Sequence, residues 1–100
     1  MLDLKTGDFI NGELVEGDTE KLLVSINPAT GSQLTKIKLA SPQQANHTVE
    51  IAKKGQKKWA ELTGKERGRI LHKTAELIRQ NRDRLANLET LDAGKPISET

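Results

Sequence analysis

The spacing of the apolar residues changes at Ser41, and this change constrains the fold more than any other feature of the sequence. Before Ser41 the apolar residues occur in short runs typical of strands, whereas after it they recur at helical spacing. Strands followed by helices indicate an α+β arrangement rather than disorder. We therefore predict that this chain consists of short antiparallel strands at the N-terminus followed by three amphipathic helices.

The strand region is divided by two turn signals. The dipeptide Asn11-Gly12 separates two short apolar pairs and predicts a hairpin, because it tolerates the positive φ angles of a type I′ turn. Further strands are predicted over residues 21–26 and 33–39, joined by a turn over residues 27–31 that contains proline and glycine. Strand alternation puts three side chains of the last strand on one face: Thr35, Ile37 and Leu39.

Capping residues mark the predicted helices. Ser41 precedes Pro42 and lies three positions before Gln44, which is the spacing of a capping box. A second capping box begins at Thr63, and a break over residues 81–83 separates a third helix. The third helix is predicted to end before a glycine at position 94, and Ser98 is predicted to cap a fourth helix. One apolar stripe is predicted along the first helix (Ala45, Thr48, Val49, Ala52, Gln56, Trp59) and another along the second (Ile70, Leu71, Thr74, Leu77, Ile78).

The composition limits the classes of function. Only 34% of the residues are hydrophobic and none is cysteine, which excludes a disulfide framework, cysteine zinc sites and thiol catalysis within these residues. No apolar run approaches the roughly 20 residues that span a bilayer, and the N-terminus has no hydrophobic signal region. We therefore expect a cytoplasmic protein without a membrane partner.

The charges are distributed unevenly along the chain. Residues 1–35 contain six acids and two bases, a net charge of −4, whereas residues 53–84 contain eleven bases and four acids, a net charge of +7. A basic helical stretch can bind nucleic acid or a membrane surface. Here the bases are spread over several helical faces and only one aromatic residue lies among them, so we interpret them as a solvated surface and predict no nucleic-acid partner.

Asp92 is the acid most in need of an explanation. It follows Leu85 by two helical turns and so shares the apolar face of the third helix. A carboxylate on such a face must be neutralised, hydrogen-bonded or bound to a cation. Two interpretations follow: a helix-end acid that caps a neighbouring backbone group or pairs with a lysine, or a ligand of a hard cation that is completed by backbone carbonyls. We find no motif for a catalytic or cofactor-binding residue and nominate none.

Four segments in order resemble the N-terminal part of the NAD(P)-dependent aldehyde dehydrogenase superfamily, and the betaine aldehyde dehydrogenase branch in particular. They are Asn27-Pro28-Ala29-Thr30-Gly31, Gln56-Lys57-Lys58-Trp59-Ala60, Glu66-Arg67-Gly68-Arg69-Ile70-Leu71 and the run from Leu88 to Thr100. The resemblance covers roughly residues 8–100. It implies a larger α/β parent protein, of which residues 1–40 are an N-terminal β-hairpin region and residues 41–100 are the truncated helical start of a Rossmann-like cofactor-binding domain.

The resemblance also implies a chemistry. Such enzymes oxidise an aldehyde through a cysteine thiolate, pass hydride to NAD or NADP, and release the acid with a glutamate-activated water. The substrate would be betaine aldehyde or a similar aldehyde, the product glycine betaine, and the parent a dimer or tetramer. The catalytic and cofactor-binding residues lie beyond residue 100 in such proteins. We therefore expect the fragment to be inactive alone and to have the remainder of the dehydrogenase chain as its partner.

A structural potassium or sodium ion is the one family feature implied within these residues. Its ligands would include the backbone carbonyls of Ser25 and Ile26 and the carboxylate of Asp92, with at least one ligand from a later part of the protein. The alternative to the dehydrogenase prediction is a free-standing interaction or assembly module without catalysis. The two hypotheses differ in whether the chain becomes part of an active enzyme.

Overall fold

A computed structural model describes residues 4–100. It contains four strands, β1 (Asp8–Ile10), β2 (Glu13–Val15), β3 (Leu22–Ile26) and β4 (Gln33–Lys38), followed by helices α1 (Pro42–Glu61), α2 (Gly64–Gln80) and α3 (Arg82–Ala93) and a 3₁₀ turn (Ile97–Glu99). The predicted α+β order of strands and then helices is confirmed. The first three positions of the predicted region 1–40 lie outside the described residues.

The strands form two separate antiparallel pairs, β1–β2 and β3–β4. In the first pair Asp8 lies opposite Val15 and Ile10 opposite Glu13. Asn11 and Gly12 connect them with φ angles of 52° and 79°. These two positive angles confirm the predicted turn, since a type I′ turn requires both.

A bulge changes the predicted face of β4. Ser25 pairs with Thr35 but Ile26 pairs with Gln33, which leaves Leu34 as the extra residue. Leu34 is buried, whereas Leu39, predicted to share a face with Thr35 and Ile37, lies after the end of β4 and is 39% exposed. Strict alternation therefore missed the main buried residue of this strand, because one inserted residue shifts which side chains point inward.

Helix α1 begins with only half of the predicted capping box. The Ser41 hydroxyl accepts a hydrogen bond from the Gln44 amide at 3.0 Å, as predicted. The Gln44 side chain does not return to Ser41; its Nε2 donates to the Glu16 carbonyl at 3.1 Å and its Oε1 accepts from the Asp18 amide at 3.2 Å. The Ser41 amide and hydroxyl instead donate to the Asp18 carboxylate at 2.7 and 2.6 Å.

These contacts tie the loop before β3 to the start of α1, and we call the contacts between residues 16–19 and 38–44 the Asp18 clamp. Thr19 adds a hydroxyl that donates to the Leu39 carbonyl at 2.5 Å. Gly17 lies so close to this segment that a Cβ atom would be 2.6 Å from the Leu39 carbonyl oxygen. The two hydrogen bonds from Ser41 lower the pKa of the Asp18 carboxyl below its ordinary value of 3.8.

The other helix ends agree with the sequence apart from the last one. Thr63 and Glu66 form a reciprocal capping box, α2 gives way to α3 at Asn81, and Gly94 ends α3 with φ of 79°. The prediction that Ser98 caps a fourth helix is wrong. Ser98 lies inside a single 3₁₀ turn that follows Pro96, so its side chain does not occupy a helix N-cap.

Apolar faces remain largely uncovered. Among the described residues only Ile10 and Leu34 are buried apolar side chains, and the predicted α2 stripe is about half exposed at each of Ile70, Leu71, Leu77 and Ile78. The radius of gyration is 16.9 Å, compared with about 13 Å for a compact domain of about 100 residues. The helices therefore do not close around a core of their own. Within residues 4–100, no helix is long and apolar enough to cross a membrane.

Candidate cation site

The end of β3 meets the end of α3. The Ser25 hydroxyl donates a hydrogen bond to Asp92 Oδ1, although 67 positions separate the two residues. The fold thus brings together two of the three predicted cation ligands, and Ile26 is the next residue along β3. The resemblance implied a role for Ser25 only through its carbonyl oxygen, so the contact made by its hydroxyl was not predicted.

The turn after β3 fixes this meeting point. The Asn27 amide donates to the Ser32 carbonyl and the Gly31 amide donates to the Asn27 carbonyl, each at 2.8 Å. The Asn27 side chain accepts from the Ala29 amide at 2.9 Å, which is an Asx turn. The ring of Pro28 then contacts Gly94, where an added Cβ atom would lie 2.7 Å from Pro28 Cγ.

The orientation of the strand backbone bears on the carbonyl ligands. In a strand, the amide and carbonyl groups of one residue point to the same side, and those of the next residue point to the opposite side. Because both backbone groups of Asn27 bond toward the turn and β4, the Ile26 carbonyl is directed away from β4, to the open edge of the strand. By the same alternation the Ser25 carbonyl faces β4. A carbonyl oxygen has two lone pairs, so it can accept a ladder hydrogen bond and still approach a cation.

Asp92 does not pair with a lysine. The nearby base Lys95 instead approaches Glu89, with 3.4 Å between Nζ and Oε1 and both side chains more than half exposed. The observed partner of Asp92 is the neutral hydroxyl of Ser25, and this contact fits both a helix-end acid and a cation ligand.

The donors at this point are oxygen atoms. No group of three or more His, Cys, Asp or Glu side chains suited to a metal occurs among residues 4–100. A carboxylate, a hydroxyl and backbone carbonyls suit a hard monovalent or alkaline-earth cation rather than zinc or copper. The residues present therefore fit potassium or sodium in donor type, although they supply only part of a coordination shell.

A groove runs from this point between the β3–β4 pair and α3. Its volume is about 850 Å³, and Asp92 and Ser25 are among the residues that line it. The apolar walls are Leu34 and Ile37 from β4 and Leu85 and Leu88 from α3. We call this feature the β4–α3 groove. It places the candidate cation ligands beside a recess with apolar walls.

Comparisons with known proteins define the class. The model of the aldehyde dehydrogenase family matches residues 14–100. The chain is 44% identical over 96 residues to the betaine aldehyde dehydrogenase of Agrobacterium fabrum and, equally, to betaine aldehyde dehydrogenase 1 of Rhizobium meliloti. The chain belongs to the aldehyde dehydrogenase family. The match covers 96% of this chain but only 20% of each relative, so the chain spans about one fifth of their length.

The fold leads to the same family. A crystal structure of an NAD-dependent benzaldehyde dehydrogenase from Corynebacterium glutamicum superposes with a TM-score of 0.89 at 29% identity. The superposition covers 98% of this chain and 22% of that protein. The arrangement of two strand pairs and three helices is therefore that of one part of a longer enzyme fold.

Proposed function

We propose that this chain is the N-terminal part of an NAD(P)-dependent aldehyde dehydrogenase that oxidises betaine aldehyde to glycine betaine. The observation that carries the proposal is the 44% identity to two betaine aldehyde dehydrogenases over 96 residues. The structural relative named for benzaldehyde is less similar, at 29% identity. Use of NAD or NADP is supported by the family and by the NAD-dependence in the name of that relative.

The residues of this chain supply scaffold rather than chemistry. The sequence contains no cysteine, so a thiolate nucleophile must come from the rest of such an enzyme. The hundred residues alone are therefore inactive in this proposal. Residues 41–100 start the cofactor-binding domain, and the parent is a cytoplasmic homo-oligomer. None of the residues of α1–α3 is buried. This exposure supports a partner, namely the remainder of the dehydrogenase polypeptide.

The test of this function is to express the product of the whole open reading frame that contains these residues. We expect it to reduce NAD or NADP in the presence of betaine aldehyde, and to use benzaldehyde less efficiently as judged by kcat/KM. A product that oxidises other aldehydes but not betaine aldehyde would overturn the substrate while leaving the family unchanged. A reading frame that yields only this chain, without activity, would favour the alternative of an assembly module.

We also propose a structural potassium or sodium ion held by the Asp92 carboxylate and the carbonyls of Ser25 and Ile26. The Ser25–Asp92 hydrogen bond and the outward direction of the Ile26 carbonyl support this assignment. The ion would join the end of β3 to the end of α3 by neutralising the carboxylate. It takes no part in the oxidation in this proposal.

The cation can be tested by stability. We expect potassium chloride to raise the Tm of the whole gene product above that in an equal concentration of N-methylglucamine chloride, and Asp92→Ala to abolish the difference. The matched control is Asp83→Ala, an acid at the opposite end of α3, which should keep the potassium response. If Asp92→Ala retains the full response, Asp92 is a helix-end acid bound only by Ser25.

A further inference from the structure

The turn of the β1–β2 hairpin can change its own covalent structure. The sequence has five asparagines, and Asn11 is the one that precedes a glycine. The backbone nitrogen of the next residue can attack an asparagine side-chain amide, and glycine hinders this attack least because it has no Cβ atom. Both turn residues are exposed. Among the described residues, no atom beyond the chain neighbours lies within 4 Å of the place that a Cβ of Gly12 would take.

The hairpin is also weakly held, which the attack requires. The nitrogen reaches the side chain only after the Asn11 backbone rotates out of its turn conformation, so the hairpin has to open locally. β1 and β2 pair over three residues each and form a sheet separate from β3–β4. Within β1 only Ile10 is buried, whereas Phe9 is 76% exposed. An isolated two-stranded hairpin is marginally stable, so its local opening costs little free energy.

Asn11 lies beside two basic side chains of α1. A recess of about 530 Å³ separates the hairpin from α1, and the charged residues that line it are Lys54 and Lys58. They are four positions apart on a helix and so share one face. On this helix Glu50 approaches Lys53, with 3.3 Å between Oε1 and Nζ, rather than Lys54. A carboxylate at position 11 would therefore face two ammonium groups across the recess, whereas the present amide carries no charge.

We propose that Asn11 is a site of spontaneous deamidation, and that the carboxylate formed there pairs with Lys54 and Lys58 and so joins the first hairpin to α1. In the first step the Gly12 nitrogen forms a bond to Asn11 Cγ and the bond from Cγ to Nδ2 breaks. Nδ2 leaves as ammonia and takes the proton of the Gly12 amide, which leaves a cyclic imide. Water then opens the imide. The reaction needs water and no other reactant.

The side on which water opens the imide determines the effect on the hairpin. Opening at Cγ gives aspartate, which adopts a positive φ about as readily as asparagine, so the turn is kept and gains a negative charge. Opening at the backbone carbonyl gives isoaspartate, which adds a carbon atom to the main chain between the paired strands and disturbs their register. Because the reaction requires no catalyst, it does not depend on which aldehyde the enzyme oxidises.

Mass spectrometry of the stored whole gene product tests the modification. Trypsin, which cuts after lysine, places Asn11 in a peptide of residues 6–21 and Asn27 in a peptide of residues 22–36. The peptide mass reports replacement of the amide NH₂ by OH, and a sample digested without storage corrects for conversion during digestion. We expect conversion at least about tenfold faster at position 11 than at position 27, because the proline after Asn27 has no N–H and cannot close the ring.

Two further readouts come from the same samples. We expect isoaspartate as well as aspartate at position 11, because only the cyclic imide yields both; aspartate alone would overturn the ring mechanism. A synthetic peptide of residues 6–21 gives the rate without a folded hairpin. Conversion in the protein should lie within about tenfold of that rate, because the hairpin opens readily. A larger slowing, or equal conversion at positions 11 and 27, would overturn the modification site.

The Asn11→Asp variant of the whole gene product tests the ion pair without waiting for the reaction. Hydrogen exchange of the β1 and β2 amides should be about two- to fivefold slower in this variant than in the unaltered protein, because exposed ion pairs stabilise only weakly. Adding Lys54→Gln and Lys58→Gln should remove the slowing and leave exchange in α2 unchanged. Exchange that is not slowed by Asn11→Asp, or slowing that persists without the two lysines, would overturn the pairing.

Discussion

The Asp18 clamp and the helix faces differ in how far this chain completes them. In the clamp, the Asp18 carboxylate accepts two hydrogen bonds, and the side chain of Gln44 both donates and accepts one. On α2 the apolar stripe has no comparable partner, and Leu71 is 61% exposed. The polar contacts that direct the chain are thus complete among the described residues, whereas its apolar faces are largely uncovered by them.

This difference separates two tasks that a sequence performs. Caps, turns and the clamp determine where strands end and in which direction α1 leaves them, and each depends on groups a short distance apart in space. Burial of apolar surface supplies most of the favourable free energy of folding. Among residues 4–100 the contacts that direct the chain are therefore formed, whereas few apolar side chains are buried.

The largest expected effect breaks the clamp. Gly17→Ala would put a Cβ atom against the carbonyl groups of Lys38 and Leu39, which are backbone atoms that cannot rotate away. We expect a loss of about 3 kcal/mol in the free energy of unfolding of the whole gene product, measured by urea denaturation.

The matched control for this substitution is Gly55→Ala, in the middle of α1. No atom lies within 4 Å of the added methyl group at that position. Alanine is also the better helix former, so the change should stabilise the protein by about 0.5–1 kcal/mol. If the two variants unfold at the same urea concentration, the close approach at Gly17 does not constrain the fold.

The second prediction concerns the exposed apolar stripe of α2. Leu71→Ala should change the stability of the hundred-residue chain alone by less than about 0.5 kcal/mol, because the side chain is already exposed. Joined to the remainder of the enzyme, the same change should cost about 2–3 kcal/mol, because a buried leucine is then lost. Urea denaturation in both contexts measures the difference.

Lys73→Ala, two positions further along α2, is the control for this comparison. It removes a long side chain from the same helix and should have a similar small effect in both contexts. An equally small effect of Leu71→Ala in both contexts would mean that the α2 stripe stays exposed in the complete enzyme. The apolar faces would then need a partner other than the dehydrogenase polypeptide.

The features predicted correctly from the sequence are those with local causes. The Asn11-Gly12 turn, the Thr63 capping box and the end of α3 at Gly94 each depend on residues within a few positions of one another. The α+β order follows from the change of apolar period at Ser41. Asp92 could also be marked as unusual from its position on an apolar helix face.

The features that the sequence did not reveal depend on distant residues. Gln44 turns away from Ser41 because the loop over residues 16–18 offers it a donor and an acceptor. Leu34 becomes buried through a bulge whose position is fixed by pairing with β3. The hydroxyl of Ser25 reaches Asp92 only because the folded chain brings together residues 67 positions apart. Spacing along one element carries no signal for any of these contacts.

The smallest expected effect is the pH dependence of the stability that the Asp18 clamp contributes. Hydrogen bonds from Ser41 lower the pKa of the Asp18 carboxyl, so the clamp favours the ionised form. Its contribution to stability should be fully present above the ordinary value of 3.8 and be lost as the pH falls through the lower folded-state pKa. A carboxyl ¹³C NMR titration of Asp18 should therefore have its midpoint below 3.8.

Asp18→Asn should remove this acid-dependent part of the stability, whereas Asp83→Asn, which leaves both hydrogen bonds from Ser41 in place, should retain it. A midpoint at or above 3.8 would mean that Ser41 binds the protonated carboxyl as well as the ionised one, and that the clamp does not depend on the charge of Asp18.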